Sequence, residues 1–206
     1  MIALFLSAFV TLFLVIDPPG CAPIFAGLTK NATPVHRRTM AVRSTGVASA
    51  VLLMFALVGE ALLQQLGISL DAFRIAGGIM LFLIALEMVF EKRTQRREHR
   101  AAEVSQDPSY EDISIFPMAI PMIAGPGAIA TIMLLVGRSN GTAQTLVVLA
   151  ALAATMVLML LSLLAAGAIM RVLGPKLEAM ITRMLGVILA ALATQFVIDG
   201  VKASFG

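Results

Sequence analysis

The chain has little of the side-chain chemistry on which redox and metal proteins depend. Of its 206 residues, one is cysteine and two are histidine. A membrane thiol oxidoreductase needs a pair of reactive thiols, so the single Cys21 argues against that class. A metal transporter would carry histidine or carboxylate clusters in its helices, whereas we expect both His36 and His99 in loops. No metal or cofactor is expected, and Cys21 is interpreted as a small apolar residue.

The motifs of soluble catalysis are also missing. We find no glycine loop of the P-loop type, no metal-ligand spacing and no helical His-Glu pair. The sequence therefore predicts neither an enzyme nor an ATP-driven pump. Any driving force for transport must be a gradient or a simple exchange.

Charged residues are scarce, at 13% of the chain against 59% hydrophobic residues, and a soluble fold could not hide so much apolar surface. In lipid, backbone polar groups must be paired within helices or a closed barrel, and the period-2 alternation of a barrel is absent. We therefore predict an all-α, polytopic membrane protein with six transmembrane helices. Most of its apolar blocks approach or exceed the roughly 20 residues that cross a bilayer. They are Ile2–Ile16, Thr39–Leu66, Phe73–Phe90, Ile113–Val136, Thr145–Met170 and Ile181–Ile198.

The distribution of Lys and Arg predicts the orientation, because cytoplasmic loops carry the excess of both residues. Most of them follow the first, third and fifth blocks, and the opposite side has only Arg74, Arg138 and Lys202. We expect an inner (plasma) membrane protein with both termini outside. The formal charge of +3 requires no nucleic-acid partner, because these basic residues would meet anionic membrane lipid.

The chain divides into two apolar halves, residues 1–91 and 113–206, joined by a polar loop at 92–112 that we expect in the cytoplasm. The halves repeat one pattern, L-G-x-x-L-acid-A-bulky, at Leu66–Phe73 and Leu173–Met180. Each half has an odd number of helices, so the second copy would enter the membrane upside down. This arrangement predicts two inverted three-helix repeats, as in many secondary transporters.

Proline and glycine interrupt the first and fourth blocks at matching positions of the two halves. The first break is Asp17-Pro18-Pro19-Gly20, and the second is Gly125-Pro126-Gly127. Non-helical backbone at membrane depth is tolerated only where it is buried in protein or lines a cavity. Paired breaks of this kind point to the substrate site of a transporter, with two packing kinks that bind nothing as the alternative.

The two breaks together suit a small zwitterion. Half-helices that begin after Gly20 and Gly127 would direct N–H groups towards a carboxylate, and those that end near Ile16 and Ala124 would direct carbonyls towards an ammonium or a coupling cation. Two deeper polar residues could line the same cavity or form interhelical hydrogen bonds. The predicted substrate-binding residues are Asp17, Pro18, Pro19, Gly20, Gly125, Pro126, Gly127, Thr131 and Gln195.

Three segments carry a family resemblance: D-P-P-G-x-x-P-I-F at Asp17–Phe25, F-R-I-A-G-G-I-M-L-F-L-I-A-L-E at Phe73–Glu87 and P-M-A-I-P-M-I-A-G-P-G-A-I at Pro117–Ile129. On the basis of these three segments, the chain resembles the MarC family of integral membrane proteins. That family includes the SnatA transporters and is related to the LysE-type exporters. The resemblance implies six helices and transport of small neutral amino acids such as glycine and alanine. Asp17 stands where the family's N-P-x-G motif usually has Asn, so we consider both a proton-coupling and a capping role for it.

Two other functions stay open at the level of sequence. One is a non-transporting structural or regulatory membrane protein, and the other, less favoured, is the thiol oxidoreductase. The expected partners are a zwitterionic amino acid and membrane lipid, and the sequence leaves the oligomeric state open.

Overall fold

The computed structural model describes residues 1–93, 95–96, 99 and 112–205, and within these residues all regular structure is helical. Most of the predicted 92–112 loop lies outside the described residues. The helices are α1 (Ile2–Ile16), α2 (Pro18–Leu28), α3 (Pro34–Gln65), α4 (Leu70–Val89), α5 (Pro126–Gly137), α6 (Thr142–Leu164) and α7 (Ala166–Phe205). A segment of wider helical turns, Ser114–Ile123, precedes α5 and is called the proline segment below.

Five helical stretches are long and apolar enough to cross a membrane: Ile2–Leu28, Pro34–Gln65, Leu70–Val89, Thr142–Leu164 and Ala179–Phe205. The proline segment and α5 together pass the same criteria but are bent by 54° at their junction. The described part of the chain is therefore all-helical with several membrane spans, five by length and composition, or six if the bent pair is one span.

The break in the first span is a single residue long. Asp17 adopts the left-handed conformation (φ 61°, ψ 64°) between α1 and α2, which Asp tolerates better than most side chains. Pro18 then occupies the first helical position of α2, where its fixed φ suits the helix and its missing N–H costs nothing. The predicted break at Asp17 is therefore present, and local residue chemistry explains it.

The break in the later half is longer. Phe116 and Ile120 have extended backbone inside the proline segment, and each precedes a proline, which disfavours the helical conformation of the residue before it. Gly125 caps α5 in an extended conformation, and Pro126 is the first residue of α5. The predicted interruption at Gly125-Pro126-Gly127 thus coincides with a helix start.

Helices α4 and α7 form the most extensive contact between elements and run antiparallel. A side-chain carbon on Gly200 would lie 3.1 Å from the Asp71 carbonyl oxygen, and one on Gly186 would lie 3.1 Å from the Ala85 carbonyl oxygen. Residue numbers thus rise along α4 as they fall along α7. Glycine at these contacts lets the two backbones approach closely, as is usual between helices in membranes.

The two copies of the repeated pattern share one backbone feature. Gly67 and Gly174 occupy the same position of the pattern, and both are left-handed, with φ of 69° and 65°. Glycine adopts this conformation without a steric penalty. Gly67 lies in the turn before α4, whereas Gly174 kinks α7.

The expectation that both histidines lie in loops is wrong. His36 is in the first turn of α3, because the side chain of Thr33 accepts a hydrogen bond from the His36 N–H at 3.3 Å and Pro34 begins the helix. His99 is helical as well, and both side chains are exposed. Capping extends α3 beyond the apolar block that was visible in the sequence.

Candidate functional site

A cavity of about 330 Å³ lies where the second break meets the ends of α1 and α4. This volume is at the lower end of the range of ligand sites in proteins, which favours a small ligand. Its lining combines helix ends, apolar side chains and three charged side chains. The lining residues are Val15, Ile84, Glu87, Arg93, Arg96, Pro121, Met122, Ile123, Gly125, Pro126, Gly127 and Ala128.

The start of α5 forms one side of the cavity. The first hydrogen bond within α5 runs from the Ile129 N–H to the Gly125 carbonyl at 3.0 Å, so the N–H groups of Gly127 and Ala128 precede the helical ladder. No side chain caps this helix. An uncapped helix start has a positive partial charge, so this side of the cavity suits an anionic group.

The end of α1 also lines the cavity, and its polarity is opposite to that of the α5 start. The Val15 carbonyl would normally accept from the N–H of residue 19, but Pro19 has none. In its place the Val15 carbonyl accepts a hydrogen bond from the Arg93 guanidinium at 2.8 Å. The Val15 side chain lies 3.5 Å from the position of a side-chain carbon built on Gly127. The end of α1 and the second break therefore meet at this cavity.

Arg93 and Arg96 follow α4 and supply the positive charge of the cavity. Arg96 forms an ion pair with Glu87, and the Arg93 guanidinium also lies 3.1 Å from the Met88 sulfur. Among the described residues, the cavity lining therefore has two arginines and one glutamate. Sequence reasoning did not identify either arginine as a site residue, because their clustering after a span is equally typical of cytoplasmic loops.

The residues of the first break are buried beside the cavity but do not line it. The Asp17 carboxylate accepts a hydrogen bond from the Gly20 N–H at 3.2 Å and caps α2. A side chain on Gly20 would overlap that carboxylate. The small size of Gly20 therefore makes room for the Asp17 cap, whereas the sequence predicts a substrate-binding role for it. Pro18 and Pro19 act by removing the helical donors of α1.

The two deeper polar candidates lie elsewhere. Thr131 is buried one turn into α5, and its hydroxyl donates to the Gly127 carbonyl at 2.7 Å. Gln195 is exposed on α7, and its amide donates to the Asp199 carboxylate at 2.7 Å. Of the predicted binding residues, the structure thus brings Gly125, Pro126 and Gly127 into the cavity.

Ion pairs lie at both ends of the α4–α7 pair. At one end Arg138 pairs with Asp199 at 2.6 Å, and its guanidinium stacks 5.0 Å from the centre of the Phe196 ring. At the other end Arg183, on α7, pairs with Glu91, which follows α4. The Arg183–Glu91 pair joins the two halves of the chain, whereas Arg138 and Asp199 both belong to residues 113–206.

Asp112 anchors the start of the proline segment. Burial raises the pKa of this carboxyl, but hydrogen bonds from the Ser114 hydroxyl and N–H and the charge of Arg43 outweigh it, so the pKa lies below its ordinary value. Asp112 is therefore ionised at neutral pH and pairs with Arg43 of α3.

Cys21 directly follows the first break and is buried. Among the described residues, no group of three or more His, Cys, Asp or Glu side chains could hold a metal ion.

The sequence model of the MarC family of integral membrane proteins matches residues 2–205, and so spans both breaks and the cavity. The chain belongs to the MarC family. A membrane protein of Pyrococcus abyssi is 34% identical to this MarC chain over 202 residues, which are 98% of this chain and 96% of the relative.

Two further relatives support the MarC assignment. A membrane protein of Methanocaldococcus jannaschii is 35% identical over 152 residues, covering 74% of this chain and 73% of the relative. The inner membrane protein YhgN of Escherichia coli K12 is 40% identical over 130 residues, covering 63% of this chain and 62% of YhgN. No solved structure matches the chain.

Proposed function

We propose that this MarC protein is a secondary transporter of small neutral amino acids of the glycine and alanine class. The observation that carries the proposal is one small cavity with two helix ends of opposite polarity, the start of α5 and the end of α1. A zwitterionic amino acid has a carboxylate for the first end and an ammonium for the second. The volume of about 330 Å³ favours small side chains.

Transport requires the cavity to open to either side of the membrane. In transporters built from two inverted repeats, one repeat moves against the other around the substrate site, which gives the two open states. We propose that residues 1–91 and 113–206 are inverted three-helix repeats joined by the 92–112 linker. The antiparallel α4 and α7 and the matching left-handed Gly67 and Gly174 support this arrangement.

The ion pair between Arg183 of α7 and Glu91 joins the two halves and fits the role of a closure between them. Movement of the halves apart at this end would separate Arg183 from Glu91. Ion pairs with exposed side chains contribute little to stability, about 0 to 1 kcal/mol each. Breaking this pair would therefore cost little.

The proposed location is the inner (plasma) membrane, with both termini outside and residues 92–112 in the cytoplasm. The excess of Lys and Arg after the first, third and fifth blocks supports the orientation, and the inner-membrane relative YhgN supports the location. The Glu87 and Arg96 end of the cavity then faces the cytoplasm. Asp17, buried behind the cavity, is the candidate for proton coupling, and simple exchange is the alternative.

The proposal is tested with purified protein in liposomes preloaded with unlabelled glycine, by following the entry of labelled glycine. Empty liposomes and the Gly127→Leu variant are the controls. We expect saturable exchange that alanine inhibits more strongly than phenylalanine. Absence of exchange with every small neutral amino acid, for correctly folded protein, would favour the non-transporting structural or regulatory function.

A further inference from the structure

A groove of about 280 Å³ lies between α3 and α6 and opens to the outer surface of the helices. Its lining on α3 runs from Thr45 through Ser49 to Leu53, and its lining on α6 is entirely apolar. The hydroxyl groups of Thr45 and Ser49 donate to carbonyls of their own helix. The lined part of α3 is about 12 Å long at 1.5 Å per residue. The groove therefore suits an elongated apolar ligand.

The face of α3 that forms the groove also has an arginine at one end. Residues seven apart lie on the same face of a helix, so Arg38 is two turns before Thr45 on the groove face, and it is exposed. Arg43 is two residues from Thr45 and therefore lies on the far face of α3, where it pairs with Asp112. Of these two arginines, Arg38 belongs to the groove.

A second arginine reaches the same end of the groove from α7. Helical hydrogen bonds of 2.9 Å continue from α6 into α7 at Ala165, so Gly167 is two turns beyond Leu160 on the groove face. The Gly167 carbonyl accepts a hydrogen bond from Arg171 Nε at 3.2 Å. A side-chain carbon on Gly167 would lie 3.7 Å from the Arg37 guanidinium. Gly167 and the exposed Arg171 are therefore beside the first turn of α3.

Both arginines are placed to meet an anion at the level of the lipid headgroups. Helix α3 has 32 residues, which is about 48 Å at 1.5 Å per residue, whereas the hydrocarbon core of a bilayer is about 30 Å thick. The start of α3, with its arginines, therefore extends past the hydrocarbon. The ion pairs among the described residues leave Arg38 and Arg171 without a carboxylate partner.

We propose that the groove is a binding site for an anionic phospholipid: one acyl chain lies between α3 and α6, and the phosphate group binds Arg38 and Arg171. The acyl chain matches the apolar lining, and the headgroup matches the two unpaired charges at its end. A second copy of this chain fits the groove less well. A two-fold axis normal to the membrane would bring the arginines of both copies to the same end, where like charges repel.

The first test is native mass spectrometry of the purified protein with phosphatidylglycerol, an anionic lipid, and zwitterionic phosphatidylcholine with the same acyl chains. Phosphatidylglycerol should bind more tightly. A basic residue at an anionic membrane surface contributes about 1 kcal/mol, which corresponds to about fivefold in affinity. Arg38→Gln and Arg171→Gln should therefore each weaken phosphatidylglycerol binding about fivefold and phosphatidylcholine binding by a smaller factor.

Arg43→Gln is the matched control, because it removes the same charge from the far face of the same helix. It should leave the preference for phosphatidylglycerol unchanged. An equal loss of phosphatidylglycerol binding in Arg43→Gln would indicate a general charge effect and overturn the proposal. Equal affinity of the parent protein for the two lipids would also overturn it.

The second test fills the groove and leaves the arginines in place. Ala153 lines the groove and is exposed, so Ala153→Leu should weaken phosphatidylglycerol binding without disturbing the core. Ala150→Leu makes the same change at an exposed position of α6 outside the groove and should have no effect. Unchanged binding in Ala153→Leu would overturn the proposal. A lipid-free dimer that Ala153→Leu dissociates would also contradict it, by assigning the groove to a second copy of the chain.

Discussion

Gly127 of the second break packs against α1 and α4 and permits a quantitative prediction. A side-chain carbon at this position would overlap the Ile84 Cδ1 atom and would lie 3.5 Å from Val15 Cγ1 and 3.7 Å from Leu81 Cδ2. Gly127→Ala must therefore displace the Ile84 side chain. Ile84→Val removes only the overlapping atom, so the two substitutions should compensate each other.

The expected changes in the free energy of unfolding follow from the packing. Forcing an extra methyl into a filled site lowers this free energy by about 1 to 3 kcal/mol, and the higher helix propensity of alanine offsets at most about 1 kcal/mol of the loss. Ile84→Val alone should cost about 0.5 to 1.5 kcal/mol. In the double variant the new methyl fills the space that the Ile84 methyl vacates. We therefore expect the double variant to be at least about 1 kcal/mol more stable than the sum of the single effects.

The assay is reversible unfolding in mixed detergent micelles, with glycine exchange measured in parallel. Gly46→Ala is the matched control, because nothing lies within 4 Å of a side-chain carbon built on Gly46 in α3, and it should be neutral or stabilising. Additive single effects, within about 0.5 kcal/mol, would refute the contact between Gly127 and Ile84 and with it the packing of α4 against the second break.

Three further predictions concern Asp17, the single thiol and the orientation. Asp17→Asn should keep the cap of α2 and glycine exchange but lose accumulation driven by an imposed pH gradient in liposomes; equal accumulation would rule out proton coupling. Cys21→Ala and Cys21→Ser should each retain most of the exchange activity, and loss in both at normal expression would revive a thiol mechanism. A reporter that is active only in the periplasm should be active after Gly206 and inactive near Glu103, and the reverse pattern would contradict the orientation.

The positions of the breaks were predictable because their chemistry is local. A proline removes its own N–H and restricts its neighbour, so Pro18, Pro19 and Pro126 mark interruptions whatever surrounds them. The helix starts were less predictable from hydropathy alone. Helix α3 begins at Pro34 and not at Thr39, because the Thr33 cap, a polar group outside the apolar block, determines where it starts.

The composition of the cavity was not predictable from sequence. The spacing of Thr131 and Gln195 indicates their depth in the membrane but not the direction of their side chains, and Thr131 bonds to its own helix while Gln195 faces outwards. The contact of Arg93 with Val15 joins residues far apart in the sequence and depends on how the ends of α1 and α4 come together at the cavity. A basic residue after a span gives no signal that distinguishes it from a loop residue that meets lipid.

The central claim is that the cavity beside Gly127 is the site through which a small zwitterion passes. The most direct measurement is labelling of Ala128→Cys, in the Cys21→Ala background, with and without glycine, followed by glycine exchange in liposomes with the labelled protein. Glycine should slow the labelling in proportion to occupancy, and the labelled protein should no longer exchange glycine. Labelling at the same rate in saturating glycine, or full exchange by completely labelled protein, would contradict the claim.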